Sequence, residues 1–249
     1  MARFFTDSGN VDREAGRLFI EGDDVNHIKN VLRANPGDKL IISDGRGNEY
    51  SVCLESFEKD RITASILDAA VNITEPPIAV TLFQGVPKSD KMEAIIQKCV
   101  ELGVKKIVPV LTARTVVRFK DSKEMEAKTI RWRRIALEAA KQCNRGVIPE
   151  VTLPVKLEKA FEASKEYALS LIPYENETDS GLRKYIGRHE SGSICFFIGP
   201  EGGFDEEEIM KALAFGIKPV TLGPRILRTE TAGSTVLSIL MYELGDMGR

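Results

Sequence analysis

Four cysteines, Cys53, Cys99, Cys143 and Cys195, are scattered along the 249 residues with no CxxC pair and no Cys/His cluster. That spacing argues against a zinc site and suits reduced, mostly buried thiols, as in a cytoplasm. Histidine is scarce too: His27 sits in an amino-terminal strand-rich region and His189 in an expected surface loop. No stretch approaches the roughly 18 uninterrupted apolar residues of a membrane span. The opening MARFFTDSGN lacks the apolar segment of a secretory signal. These absences leave a cytoplasmic protein without a membrane or a metal.

Excess charge of one sign is also missing, because the formal net charge is only −2. Its distribution is uneven. Residues 1–72 carry a net of −4, whereas residues 113–145 carry +6 in 33 positions. A local basic patch attracts phosphates whatever the total charge, although a solvated helix face would have the same composition. Hydrophobic residues at 43% and charged residues at 29% are ordinary for a globular chain with a real core, in one large domain or two small ones.

The chain changes grammar near residue 72. Before it, RLFIE, DKLIISDG, EYSVCLESF and RITASILDA read as short strands, with NPGD and DGRGN as turns and one short helix over about residues 23–32. This is the pattern of a small β-barrel. NITEPP, residues 72–77, reads as a linker. Beyond it AVTLFQG, KKIVPVL, YALSLIP, SICFFIG and KPVTLG are short apolar strands alternating with helices near residues 90–103, 124–144, 205–214 and 229–244. Asp90 and Glu93 have the spacing of a capping box, and Gly103 can end that helix. Alternation predicts a mostly parallel sheet covered by helices, with ligands at the carboxyl ends of its strands. The expected domains are therefore residues 1–72 and 73–249.

Three loops at strand ends carry the chemistry: IPYENE, IGPEGGF and LGPRILRTETA. No G-x-G-x-x-G spacing with a following acid is present, and no Walker loop. Glu201 in the centre of IGPEGGF would repel a phosphate. A ligand with a cationic centre and hydroxyls suits the loop better, and S-adenosylmethionine has that character. A tight turn into an acidic first helical turn accounts for the same residues without any ligand. In the third loop Arg225 and Arg228 flank an Ile-Leu pair, where arginine can hold a carboxylate, a phosphate or a developing oxyanion. The following STVLSILMYEL is apolar nearly all round and needs a core or a partner subunit to cover it.

IGPEGGF together with LGPRILRTETA resembles the uridine-N3 methyltransferases of small-subunit (16S) ribosomal RNA, within the knotted SPOUT class. HIKNVLR with PGD is similar to that family's PUA-like domain, and QGVPKSDKMEAIIQKCVELGV, ARTVVR and EAAKQCNRGVIPEV also match its motifs. The departures are Lys141-Gln142, where the family usually has Glu-Gln, and the smaller residues of GSTVLSILM. The resemblance implies an α/β fold with a deep trefoil knot behind an RNA-binding PUA-like barrel. It also implies a homodimer joined at the knot and last helix, acting without a metal on 16S rRNA, which the enzyme would meet within the small subunit. S-adenosylmethionine would be the methyl donor and S-adenosylhomocysteine the product.

Matched by motif, the cofactor residues are Leu171, Ile172 and Pro173 in the first loop, and Ile198, Gly199, Pro200, Glu201, Gly202 and Gly203 in the second. The third contributes Leu222, Gly223, Ile226, Leu227, Arg228, Thr229, Thr231 and Ala232. The reaction places negative charge on the uracil as N3 loses its proton, and Arg228 is expected to stabilise it. A salt bridge from Arg228 to Glu230 or Glu201 is the structural alternative. Glu230 is a second catalytic expectation, as proton acceptor or cofactor ligand. Phosphate contacts are expected from Arg114 and Arg118, from a helical stripe of Arg131, Arg134, Lys141 and Arg145, and from Arg3, Lys29 and Arg33 in the barrel. Two other classes stay open: an RNA-binding assembly factor without catalysis, and a nicotinamide-dependent oxidoreductase.

Overall fold

The computed structural model describes residues 3–187 and 192–248, so the expectation for His189 lies outside the described residues. The chain divides into two compact units, one of residues 1–75 with 140–148 and one of residues 76–139 with 149–249.

The first unit begins with β1 (Arg3–Phe5), β2 (Val11–Asp12) and β3 (Arg17–Glu21). The helix α1 (Asp23–Asn26) follows and runs on as a wider turn over His27–Val31. Then come β4 (Lys39–Ser43), β5 (Asn48–Phe57) and β6 (Arg61–Val71). They form one curled six-stranded sheet in the order β1-β4-β5-β6-β3-β2, antiparallel except for the β1–β4 pair. Alternation explains its core: Tyr50, Val52 and Leu54 point inward from β5, with Leu54 opposite Ala64 of β6 and Ile62 in the same cluster. Register shifts at Ser51/Val52 and Leu54/Ser56 bend the long hairpin so that one face closes over that core.

The stretch read as a linker is instead partly built into this unit. Asn72 is buried; its amide donates to Glu49 and to the Asn144 carbonyl, and its oxygen accepts from the backbone and hydroxyl of Thr74. Glu75 binds Arg145 at 2.7 Å and accepts the backbone N–H groups of Gly146 and Val147.

The second unit is a seven-stranded, all-parallel sheet: β7 (Val80–Gly85), β8 (Lys106–Leu111), β9 (Glu150–Val151), β10 (Val155–Lys156), β11 (Leu169–Pro173), β12 (Ile194–Ile198) and β13 (Lys218–Val220). Its order is β10-β8-β7-β12-β11-β13, with β9 beside β8, so β12 lies between two strands that both precede it in the chain. The helices are α2 (Lys91–Glu101), α3 (Ser122–Gln142), α4 (Leu157–Ala163), α5 (Arg183–Ile186), α6 (Glu206–Ala214) and α7 (Thr229–Glu243). No helix among the described residues is long and apolar enough to cross a membrane.

Sheet parity sorts the helices onto two faces. Phe83, Cys195 and Phe197 pack with Leu157 and Phe161 of α4 and with Ile209 and Ala212 of α6. The Phe83 and Phe197 rings stack with centroids 4.5 Å apart. Burial of each such side chain stabilises the fold by about 1.5–3 kcal/mol. On the other face α7 runs against α2 and over β7 and β12. A Cβ added to Gly233 would be in ordinary van der Waals contact with Gln84 Oε1 at 3.6 Å, Leu82 at 3.8 Å and Ile198 at 3.9 Å.

Two local expectations change. Asp90 precedes α2 but makes no side-chain cap: the Glu93 N–H bonds the Asp90 carbonyl at 3.0 Å, and the Glu93 carboxylate pairs with Arg131 at 2.7 Å. The capping box forms at α6, where Asp205 accepts from the Glu208 backbone and Glu208 from that of Asp205. The other carboxylate oxygen of Glu208 accepts the Ala113 N–H at 2.7 Å, tying the loop after β8 to the start of α6.

Candidate active site

A cleft of about 920 Å³ opens where β11, β12 and β13 end, within the range of small-molecule sites. The parallel sheet forces this placement, because every strand delivers its following loop to the same edge. The walls are Pro173–Glu175 with Glu177 and Thr178, then residues 198–204, then residues 221–230 with Ala232; Lys91 reaches in from α2.

The β12 loop is fixed from three sides. Thr229, first residue of α7, donates from Oγ1 to the Gly199 carbonyl at 2.7 Å. The wholly buried Gln84 donates to that Thr229 hydroxyl at 3.0 Å. Arg114 donates to the Gly202 carbonyl at 2.6 Å. Glu201 accepts from Lys91 at 2.9 Å and from the Lys88 N–H at 3.1 and 3.2 Å. Close approach explains the small residues: a Cβ at Gly199 would lie 2.8 Å from the Gly203 carbonyl carbon. Gly203 itself has a φ of +67°, a left-handed conformation that disfavours side chains.

The electrostatics differ from the sequence expectation. Glu201 was read as a partner for a cationic ligand, but its carboxylate is already held by Lys91. Partial burial raises the Glu201 pKa, yet the bonds from Lys91, Lys88 N–H and the local backbone outweigh it and leave the net shift downward. Lys91 moves upward, chiefly through its bond to Glu201. The same ammonium stands 3.6 Å from Glu230, whose Oε2 is buried without a hydrogen-bond partner. Arg228 therefore makes neither of its two expected salt bridges: it is exposed in the cleft wall, and among the described residues its guanidinium has no ion pair or hydrogen bond.

Most residues matched by motif meet here: Pro173, Ile198 to Gly203, Leu222, Gly223, Ile226, Leu227, Arg228, Thr229, Glu230 and Ala232 all line the cleft. Three do not. Leu171 and Ile172 are wholly buried within β11, where pairing and packing consume them, and Thr231 is exposed on α7 away from the cavity. Sequence reasoning missed Lys91, Tyr174, Glu175, Glu177 and Phe204. Glu175 and Glu177 stood in a loop singled out by its position; for Lys91 no local signal existed.

The basic residues separate into two groups. Arg33, Arg114, Arg118, Arg131 and Arg134 are exposed, although Arg131 is paired with Glu93. Arg145 corrects the helical stripe: α3 ends at Gln142, Asn144 takes a φ of +62°, and Arg145 is 4% exposed against Glu75. Lys141 is likewise turned inward, 2.7 Å from Asp24. Arg3 is held by Glu49 and Lys29 by the Glu58 carbonyl.

The chain is similar to known proteins along nearly its whole length. Residues 74–241 match a family described as RNA methyltransferase domain, and residues 20–67 one described as RNA methyltransferase PUA domain. Ribosomal RNA small subunit methyltransferase E of Bacillus subtilis is 35% identical over 235 residues, covering 92% of this chain and 91% of that protein. The corresponding Neisseria gonorrhoeae enzyme, solved bound to S-adenosyl methionine, superposes with a TM-score of 0.87 at 33% identity over 99% of both chains. A Legionella pneumophila structure with bound cofactor SAM gives 0.89, again at 33% identity and 99% of both chains.

Proposed function

The chain belongs to the ribosomal RNA small subunit methyltransferase E family, with the SPOUT-type fold, and from that premise we propose that it methylates small-subunit (16S) ribosomal RNA at N3 of a uridine, using S-adenosylmethionine. One observation carries the reading: the cleft at the strand ends has a glycine-narrowed backbone wall and an exposed, unpaired arginine on its rim. The residues fit the cofactor. Backbone groups around Gly199–Gly203 and 221–228 can take the adenosine, and an acidic side chain remains for its donor groups.

When bound, S-adenosylmethionine supplies a methyl group on a sulfonium, a leaving group that departs without further activation. The protein's part is alignment and charge. The Gly199–Thr229–Gln84 chain fixes the β12 loop against α7, so the cleft holds its shape as the nucleobase enters. Arg228, free of Glu201 and Glu230, stabilises the charge that spreads to O2 and O4 as N3 loses its proton. Glu230 shares Lys91 with Glu201, which makes it part of the wall more than an acceptor for that proton. A uridine within structured RNA must leave its stack to reach the cleft.

Arg33 from the first unit, and Arg114, Arg118 and Arg134 from the second, are the exposed cations assigned to RNA phosphates. The trefoil knot, the cytoplasmic location and pairing of two copies through the last helix complete the reading; exposed Tyr242 and Met247 near that helix's end are apolar residues available for the pairing. Transfer of labelled methyl from S-adenosylmethionine to small subunits lacking the modification tests the whole. Arg228→Ala should lower that transfer by about 10²-fold or more while cofactor binding persists. Normal turnover in the variant ends the catalytic assignment. RNA binding without any transfer would favour the assembly factor instead.

A further inference from the structure

Four carboxylates line the cleft, and among the described residues three of them have a partner in the protein, although Glu230 has only the 3.6 Å ion pair with Lys91 and no hydrogen bond at Oε2. Glu201 and Glu230 share Lys91. Glu177 accepts the backbone N–H groups of Asp179 and Ser180 at 2.8 and 2.9 Å and so closes its own turn. Glu175 alone has no hydrogen bond or ion pair among the described residues, although it is two positions beyond the end of β11, where ligands of parallel sheets sit.

Its carboxylate lies beside the opposite wall. A Cβ built on Gly203 would come within 3.0 Å of Glu175 Oε2, so the carboxylate occupies the space that a side chain at 203 would need. Gly203 has no side chain to fill that space, and its left-handed φ of +67° disfavours one. The carboxylate thus spans the cleft mouth between the first and second loops. Among the described residues no cation pairs with it, and Lys91 is committed to its two other partners.

On the reading that the cleft holds S-adenosylmethionine, we propose that Glu175 is the acceptor that recognises the cofactor's donor groups, the ribose hydroxyls or the ammonium of its amino-acid end. A carboxylate accepting from such groups gains a charge-assisted hydrogen bond, and in the ammonium case also an ion pair. The geometry gives this task to Glu175 and denies it to Glu201.

Calorimetry on the full-length protein tests the assignment with Glu175→Gln and Glu175→Ala, using S-adenosylmethionine and methylthioadenosine, which keeps the ribose but lacks the ammonium. Because Glu175 is exposed and bonded to nothing, both variants should melt at the wild-type temperature. The expected result is S-adenosylmethionine affinity weakened about tenfold or more in both variants. Equal weakening for methylthioadenosine identifies the ribose; weakening confined to S-adenosylmethionine identifies the ammonium. Unchanged affinity of both variants for S-adenosylmethionine overturns the inference and leaves the methyltransferase reading intact. A wild-type protein that binds no S-adenosylmethionine overturns both.

Discussion

Lys91 Nζ stands 2.9 Å from Glu201 Oε1, so the first residue of α2 grips the centre of the β12 loop. Lys91→Met should leave Glu201 and Glu230 unneutralised side by side and weaken cofactor binding about three- to tenfold, with Lys91→Arg recovering most of it. Titration calorimetry on the two variants checks this. Equal affinities would mean that the pair shapes nothing.

The same pair sets a pH window. The folded pKa of Glu201 is depressed below its ordinary 4.5, so its contribution to stability is present above that value and is lost as pH falls through the depressed one. Lys91 is raised above 10.5, so its part is lost only as pH climbs through that higher value. Thermal melts of wild type and Glu201→Gln should therefore differ by a constant amount at neutral pH and converge on strong acidification.

Gly203→Val should abolish cofactor binding. A side chain there meets Glu175 Oε2 at 3.0 Å and must adopt a φ of +67°, a strain of about 1–2 kcal/mol. Gly216→Ala is the control: its φ is +81°, with nothing within 4 Å of the added Cβ. It should cost similar stability and keep full affinity, which separates a blocked cleft from a weakened fold.

Arg134→Ala and Arg145→Ala should part company. Arg134 is exposed, and its loss should weaken rRNA binding evenly across sequences and reduce the salt slope by about 1. Arg145 is buried against Glu75, so its loss should lower stability by about 2 kcal/mol; that is less than the roughly 3–5 kcal/mol of a fully buried pair, because Glu75 is a quarter exposed. Filter binding over a salt series and thermal melts distinguish them.

Cys99 and Cys195 should resist alkylation in the native protein. Burial pushes both thiols up to about 12, leaving almost no thiolate near neutral pH. Mass spectrometry after iodoacetamide treatment should find label on the half-buried Cys53 and Cys143 first.

The strand ends and the loops of the cleft were legible because glycine and proline mark places where backbone alone must do the work, as at 199–203. Side-chain partners were not. Arg145 keeps helical spacing from Lys141, yet Asn144 reverses the backbone between them, a turn that spacing arguments do not register. Lys91 is one lysine among many until folding sets it beside residues 110 and 139 positions away. Leu171 and Ile172 lie outside the cleft lining for the opposite reason: the motif is contiguous, but a strand buries its residues before its loop begins. The short α4 was not legible because seven residues, LEKAFEA, are too few turns for an apolar periodicity to stand out.

The position of β12 governs the order of assembly. Its slot lies between β7 and β11, more than 80 residues apart in the chain, and stays empty until a later segment is delivered to it. Such distant pairings form slowly, because loop closure must precede the contacts that reward it. The cleft walls on either side of β12, and the α7 hydroxyl that locks them, are therefore expected to come together late. A chain stopped short of β12 can hold every residue of the first unit, which ends at 148, and still own no methyl-transfer site, so synthesis supplies that site only near its end.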